Sequence, residues 1–455
     1  MKPIEIFLAE LCSLDIKLSA AGDRLRCNAA KGALTSDLTT QLAERKTEIL
    51  AYLNSHNAGL DVINLEAEAV LDATIFPAIA SELTAKIEQI FLTGATGFLG
   101  AFLLYELLQE TEANIYCLVR EENSDLGKQK IQDQLKSYQL WQENFSNRIM
   151  PIIGDLSQPL LGLSEAQFQM MSHQIDVIYH NGALVHLFYP YTALKAVNVL
   201  GTQEILRLAS LGKLKSVHFI SSLSVMQSLN YVKDKVVKEE DLISDRWQNL
   251  YHGYAESKWV AERLVAIARA RGIPVTIYRP GMVTGSSKTG VGKTEDLWSK
   301  LLKSFVLLGK APDMDTVLWD ITPVDYVSQA VVHLSKQQNS LGKIFHLLNS
   351  QPTPLSKIVD SMRAFGYAIE QVSYDEWRTD LSVLVQNTPT HPLSSLLMTF
   401  VEHFSEEQLQ VLQLKYDSQN TLNALEDSSI HCPPPSDRLI NTYLSYFRDR
   451  GFLDS

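Results

Sequence analysis

Cysteine is scarce: four residues in 455, Cys12, Cys27, Cys117 and Cys432, with no CxxC pair among them. That spacing excludes a disulfide scaffold and a structural zinc knot, and it predicts a reducing compartment, the cytoplasm. Long apolar runs are missing as well. The richest, Phe98–Leu108, is interrupted by Gly100 and Glu106 and is too short to cross a bilayer. Met1–Leu11 carries Glu5 and Glu10 among its apolar residues, so no signal peptide is expected there. Positive charge is in deficit, 40 Lys and Arg against 52 Asp and Glu for a net −12, which argues against nucleic acid or an anionic membrane as a partner. No His, Asp or Glu cluster has metal-ligand spacing, so no metal is expected. What remains is ordinary globular composition, 45% hydrophobic and 20% charged, on a length that suits about three domains at roughly 150 residues each.

Three parts follow from the patterning. In residues 1–54, Ile4, Phe7, Leu8 and Leu11 have helical spacing. Ile16–Leu18 and Leu25–Cys27 then alternate around Ala20-Ala21-Gly22-Asp23, a hairpin signal. Thr35 is placed to cap a second helix with Leu38, Leu42, Ile49 and Leu50 on one face. Residues 55–85 are expected as linker and lead-in, the polar stretch Asn54–Glu68 being the linker itself. Residues 86–348 alternate strand and helix, with strands expected at Gln89–Thr93, Asn114–Val119, Ile149–Ile153, Val177–His180, Ser216–Ile220, Val275–Arg279 and Lys343–Leu347. That order predicts an α/β fold, a doubly wound parallel sheet with helices on both faces. Residues 349–455 read as a mostly helical second lobe, with helices over Leu396–Phe404 and Glu406–Leu414.

The chemistry-bearing residues fall at the ends of those strands. Gly94-Ala95-Thr96-Gly97-Phe98-Leu99-Gly100 closes the first strand and opens a helix. Gly94 suits a tight turn, Gly97 a close approach of backbone to a pyrophosphate, and Gly100 close packing of helix on strand, so the loop is read as a dinucleotide site. The helix N-terminus favours the phosphate charge. At the end of the second strand stands Arg120, where an NAD enzyme usually carries an acid; a guanidinium there suits a 2′-phosphate and hence NADPH. Glu121 and Glu122 are the dissent, and Lys128 and Lys130 add positive charge or are simply solvated. Asp155-Leu156 would sit beside the adenine, and Asn181, in His180-Asn181-Gly182-Ala183, on the nicotinamide side. Tyr254 and Lys258 stand four apart, on one face of a helix. A phenol with a free pKa near about 10 is a weak acid at neutral pH, and a neighbouring ammonium is expected to lower it. Ser222, after the fifth strand, offers a hydroxyl to a substrate carbonyl. His186 is read as structural, Cys117 as core, and Gly285–Lys293 as a flexible loop of the wrong order for a nucleotide site.

Two resemblances gather these features. Residues 3–53 resemble the TubC-type N-terminal docking domains of nonribosomal peptide synthetases through Leu8-Ala9-Glu10-Leu11, Gly22-Asp23-Arg24-Leu25-Arg26, Ala30–Thr35 and Arg45–Leu50. That implies an αββα fold which binds the tail of an upstream synthetase subunit along its hairpin by strand addition, and often a homodimer. Lys17, Arg24 and Arg26 lie on or beside the hairpin and suit an acidic tail.

From about residue 70 onward, the glycine loop, Val119-Arg120, Gly154-Asp155-Leu156, His180–Ala183, Asn198–Thr202, Gly253–Val260, Tyr278–Gly281 and Pro323–Val327 resemble the thioester reductase domains of peptide and polyketide assembly lines. These are extended short-chain dehydrogenases/reductases with a Rossmann-type sheet. The resemblance implies NADPH-dependent hydride transfer to an acyl or peptidyl thioester held on a carrier protein's phosphopantetheine arm. Ser222 and Tyr254 would stabilise the oxyanion, and Tyr254 would donate the proton with Lys258 tuning it. An aldehyde, or after a second reduction an alcohol, would be released. Ser222 stands where these reductases more often have Thr. With no carrier attachment signature in the chain, the carrier is expected in trans. The rivals are a fatty acyl-CoA or acyl-carrier reductase of lipid metabolism, a nucleotide-sugar epimerase, and a non-catalytic NADP-binding scaffold. The docking unit, Arg120 and the Ser222–Tyr254–Lys258 set speak against them in turn.

Overall fold

The computed structural model describes residues 7, 11, 16–21, 24–29, 35–55, 63–77, 83, 86–187, 189–228, 236–243, 247–250, 252–386, 393, 396 and 414–453.

In the N-terminal unit, β1 (Lys17–Ala21) and β2 (Arg24–Asn28) pair antiparallel, with Lys17 opposite Asn28 and Ala21 opposite Arg24. Phe7, Leu11, Ile16, Leu42 and Ile49 form its core, apart from every other apolar cluster. Thr35 caps as its position suggests, its hydroxyl oxygen accepting from the Leu38 N–H at 3.2 Å. The second helix, however, is two: α1 (Ser36–Glu44) and α2 (Lys46–Ser55), parted at Arg45. Arg45 is only 6% exposed. Its guanidinium lies 4.6 Å from the centre of the Phe7 ring and pairs with Glu48 at 2.8 Å. Continuity of the helix gives way to a charge stacked on an aromatic face in a small core. Arg26 is exposed; the side chains of Lys17 and Arg24 lie outside the described residues.

The stretch expected as linker is shorter than Asn54–Glu68. Leu65–Glu68 is a helical turn whose first N–H groups, at Glu66 and Ala67, are accepted by Asn64 Oδ1 at 3.1 and 3.2 Å. Leu65, Ala69, Leu71 and Ile75 are buried in the core of the following module. Arg271 donates to the carbonyls of Leu71, Asp72 and Ile75, and Arg207 pairs with Asp72 at 2.7 Å. Glu68, an acid of the stretch that reads as linker, is likewise held by Tyr191 at 2.8 Å and Lys195 at 2.6 Å.

The main sheet has seven strands, all parallel: β3 (Gln89–Thr93), β4 (Asn114–Val119), β5 (Ile149–Ile153), β6 (Val177–His180), β7 (Ser216–Ile220), β8 (Val275–Pro280) and β9 (Ile344–Leu347). Their order is β9-β8-β7-β6-β3-β4-β5. Near-continuous apolar strands such as Ile90-Phe91-Leu92 are what a sheet covered on both faces requires. The chain reverses direction of winding between β3 and β6, and that switch point opens the crevice where an α/β sheet binds its ligand.

The second lobe packs Leu297–Leu308, Leu355–Phe365, Tyr374–Gln386 and Asp437–Asp449 around Trp298, Phe305, Trp319, Trp377 and Tyr443. Its core thus draws on chain from both sides of residue 349. Between these helices, Lys415–Tyr416 pairs with Val236–Val237, and Leu425 of the helix Gln419–Leu425 is buried against the Rossmann side. The helices expected over 396–404 and 406–414 lie outside the described residues apart from Leu396 and Leu414. Among the described residues no helix is long and apolar enough to cross a membrane.

Candidate active site

The turn after β3 is shaped by absent side chains. Gly94 has φ +75°, and a Cβ there would meet Gly182 Cα at 2.8 Å and Asn181 Nδ2 at 2.9 Å. A Cβ on Gly100 would lie 1.9 Å from the Gly94 carbonyl oxygen. Gly97 is the N-cap of α3 (Phe98–Glu110), and no side chain caps that N-terminus. Its first N–H groups therefore face out of the helix without intrahelical partners, as a phosphate requires. Phe98 is used otherwise: its ring packs against Phe102 and Tyr138, so what it brings to the site is its N–H. Leu99 is partly buried between two core clusters, and Thr96 is partly exposed at the turn.

Opposite this turn, Asn181 Nδ2 donates to the Gly94 carbonyl at 3.5 Å. Leu156 presses on Gly182 and Gly201, where a Cβ would meet Leu156 atoms at 2.6 and 2.7 Å. Asp155 Oδ1 accepts from the Ser157 N–H at 2.8 Å and so fixes the turn that delivers Leu156. Beneath them runs a buried relay. The Gly182 N–H donates to Thr93 Oγ1, Thr93 donates to His180 Nδ1, and His180 Nε2–H donates to Thr202, which donates to the Asn198 carbonyl. Burial, helped by nearby Lys258, brings His180 down to about 3, so it stays neutral and this one tautomer satisfies every partner.

At the end of β4 Arg120 is exposed, and no described residue pairs with its guanidinium. Glu121, the competing reader of a 2′-hydroxyl, is held by Lys130 at 2.7 Å, and Lys130 also donates to the Arg120 carbonyl. The edge therefore presents a guanidinium while one of its acids is already neutralised, which fits a 2′-phosphate.

The chemical end of the crevice is made by α4 (Gly253–Ala270) and the end of β7. His252 starts α4, its Nδ1 accepting from the Ala255 N–H at 2.9 Å. Gly253 is wedged against the Tyr189 carbonyl, where a Cβ would come within 2.2 Å. Lys258 is buried, donates to the Ile220 carbonyl at 2.7 Å and lies 4.3 Å from the centre of the Phe219 ring. This bond ties the helix of Tyr254 to the strand end that leads to Ser222. Ser222 Oγ accepts from the Ser224 N–H at 3.1 Å, which leaves its own O–H to donate.

One expectation is corrected here. Lys258 does not lower the Tyr254 phenol: burial raises Tyr254 to about 12, and burial brings Lys258 itself down to about 7 despite the pull of Glu262. In this low-dielectric pocket desolvation outweighs attraction, and the ammonium is spent on a carbonyl.

The lesser candidates fall as follows. His186 stacks on Tyr189 with ring centres 3.6 Å apart, and Cys117 is a buried core thiol raised well above its ordinary value by burial. The Gly285–Lys293 loop is pinned, with Ser287 bound to Asp325 through both its N–H and its hydroxyl and Gly290 packed against Thr442. Among the described residues no group of three His, Cys, Asp or Glu is placed to hold a metal. Sequence reasoning placed Asn198 in a motif but gave it no role; its side chain clamps Leu184 through both N–H and carbonyl and also reaches Ser257. It gave Arg279 no role either, and it missed Glu262 and His346. The π-turn Ala196–Leu200 that turns Asn198 inward has no period to betray it.

A seven-stranded parallel sheet, a glycine turn at its switch point and a Ser, Tyr and Lys set across the crevice define a nicotinamide-dependent oxidoreductase of the extended short-chain dehydrogenase/reductase class. Likeness to known proteins narrows this. Residues 92–331 match the Male sterility protein family of NAD-binding domains, and residues 4–55 match the TubC N-terminal docking domain. The terminal R domain of the myxalamid polyketide–peptide pathway has 46% identity and a TM-score of 0.81, covering 86% of this chain and 98% of that one. A linear gramicidin synthase polypeptide of Brevibacillus parabrevis is 40% identical over 90% of this chain and 8% of its own length. A thiolation–reductase di-domain from an archaeal nonribosomal peptide synthetase has 25% identity and a TM-score of 0.65, with 82% and 93% of the two chains covered. The chain belongs to the reductase (R) domain family of peptide and polyketide synthetases, with a TubC-type docking domain in front. It spans less than half the length of the curated relatives it matches.

Proposed function

We propose that the chain is an NADPH-dependent thioester reductase of the cytoplasm. It would release an acyl or peptidyl chain from a carrier protein's phosphopantetheine arm as an aldehyde, in nonribosomal peptide or polyketide biosynthesis. The observation that supports this reading is the Lys258 bond to the Ile220 carbonyl, which joins the helix of Tyr254 to the strand end that leads to Ser222.

Gly94, Thr96, Gly97 and the N–H groups of Phe98 and Leu99 would hold the pyrophosphate. Arg120 would take the 2′-phosphate, Asp155 and Leu156 would border the adenine, and Asn181 would border the nicotinamide side. The nicotinamide would supply a hydride. Ser222 donates its free O–H to the thioester oxygen, where negative charge grows. Tyr254 is protonated at neutral pH because burial holds it near 12, which is the form a proton donor needs. Lys258 fixes the geometry through Ile220 and turns its remaining N–H groups to the ribose and the phenol. The carrier arrives in trans, recruited when the tail of an upstream synthetase adds to the β1–β2 hairpin, and a homodimer through the same unit is the corollary.

The test is purified protein with NADPH and a soluble acyl thioester, followed at the nicotinamide absorbance together with trapping of the aldehyde. NADPH consumption matched by aldehyde is expected. No turnover with any acyl thioester, carrier-bound or free, sinks the proposal.

A further inference from the structure

One helix holds two successive residues of the strand end that leads to Ser222. Lys258 donates to the Ile220 carbonyl, and one turn later Glu262 Oε2 accepts from the Ser221 hydroxyl. Glu262 is in turn held by Arg279, with Oε1 2.6 Å from Nη2 and 3.1 Å from Nε. Arg279 Nη1 donates to His346 Nε2 at 3.2 Å, and His346 Nδ1–H donates to the Asp417 carbonyl at 2.7 Å. All of these side chains are buried: Glu262 is 2% exposed, Arg279 1% and His346 0%. A buried ion pair is worth its desolvation only when its remaining atoms are satisfied, and here both carboxylate oxygens are used. The bond to Ser221 is the one that links this ion pair to the strand end before Ser222.

We propose that Glu262 is a positioning residue for the reduction: it holds Ser221, and through it the Ser222 hydroxyl, and it places a negative charge one helical turn from Lys258. This rests on the roles given above to Ser222 and Lys258. The groups around Lys258 are Tyr254 and Glu262 on its own helix, His180 at the end of β6, Phe219 on β7, and Arg279 and His346 on β8 and β9 behind Glu262. Glu262 is the acid among them; Glu256, two positions before Lys258, does not share its face. Removing the charge of Glu262 therefore makes the ammonium of Lys258 easier to lose. The rate then falls off at a lower pH on the alkaline side.

The experiment uses the full chain with NADPH and a soluble acyl thioester, with the parent and Tyr254→Phe run alongside. Glu262→Gln keeps an acceptor for Ser221 but not the charge. It is expected to lower kcat by about 10²-fold, the scale of a misplaced catalytic group, with KM unchanged and the alkaline limb moved to lower pH. Ser221→Ala leaves the Glu262–Arg279 pair whole. It is expected to lower kcat about 3- to 10-fold, the worth of one hydrogen bond, with the limb unmoved. A folded Glu262→Gln with the parent's kcat and limb overturns the inference while an active parent leaves the functional reading standing. If Glu262→Gln does not fold, Ser221→Ala decides: a lowered kcat at constant KM supports the inference and a parental kcat overturns it. A parent inactive on every thioester overturns both readings together.

Discussion

At the phosphate end of the crevice, residues act by having no side chain. A Cβ on Gly94 would strike the Gly182 backbone and one on Gly100 the Gly94 carbonyl, and the glycines that relieve these contacts lie within seven consecutive residues. At the chemical end, residues act through buried side chains from distant parts of the chain: Lys258 on Ile220, Glu262 on Ser221 and Arg279, Arg279 on His346. On the roles proposed above, the first end is a steric mould that would bind the cofactor, and the second a polar lattice that would orient the reacting groups. The difference predicts that mutations at the two ends separate binding from turnover.

The widest separation is expected from Tyr254→Phe. It keeps the ring and removes the proton donor, so turnover should fall by ~10²–10⁴-fold while NADPH affinity stays at the parent's value. Fluorescence titration and single-turnover rates read the two quantities separately. A variant that turns over normally would show that the proton comes from elsewhere and that the lattice does not serve the chemistry.

The converse is Gly100→Ala. The added Cβ must displace the Gly94 carbonyl, and overpacking of this kind costs roughly 1–3 kcal/mol, or about 5- to 150-fold if it all falls on binding. NADPH affinity should drop while kcat at saturating NADPH is kept. Equal loss in both quantities would mean the two ends are one mechanical unit.

Arg120→Ala sharpens the comparison inside the mould. A hydrogen bond to a charged group is worth ~1.5–3 kcal/mol; because Arg120 is exposed, the low end applies and about tenfold weaker NADPH binding is expected. NADH affinity should not change. Parallel losses for the two cofactors would remove Arg120 from the 2′-phosphate and reopen the case for Glu122.

The same contrast explains what could be read from residues alone. The seven strands of the sheet are legible because each is a short apolar run between turns. The glycine turn is legible because its constraint is local, and Tyr254 with Lys258 because four residues is one helical turn. Glu262 is legible only as another helix charge, since its partner Arg279 and the next link, His346, come from later strands. Arg45 falls inside the single helix expected after Thr35, yet the helix is parted there and the guanidinium lies over the Phe7 ring. Leu65 stands in a polar stretch, yet it is buried in the reductase core, and the neighbouring Glu68 is met by Tyr191 and Lys195, residues far along the chain. Tyr254 acidity went the opposite way because charge spacing is visible in a sequence and desolvation is not.

The smallest effect expected is none at all, and it concerns the docking unit. Phe7, Leu11, Ile16, Leu42 and Ile49 make a core that shares no residue with the clusters of the reductase. By contrast, Asn64 and Leu65 belong structurally to the reductase, one as a cap and one as a buried side chain. A chain begun near residue 60 should therefore keep the parent's NADPH affinity and its rate with a soluble thioester, whereas one begun after Leu71 should lose stability with the buried Leu65, Ala69 and Leu71. With the upstream carrier-bearing synthetase at low concentration the shorter chain should be slower, because tethering raises the local concentration of carrier without a new contact at the active site. Raising the carrier concentration should bring the two rates together. Added salt should weaken recruitment of the full chain, through exposed Arg26 and its neighbours, and leave the soluble-thioester rate alone. The measurement is a pair of rate curves against the concentration of the carrier-bearing synthetase. If they superimpose with the true upstream partner, residues 1–54 do not recruit the substrate, and the separation between recruiting unit and catalytic module fails.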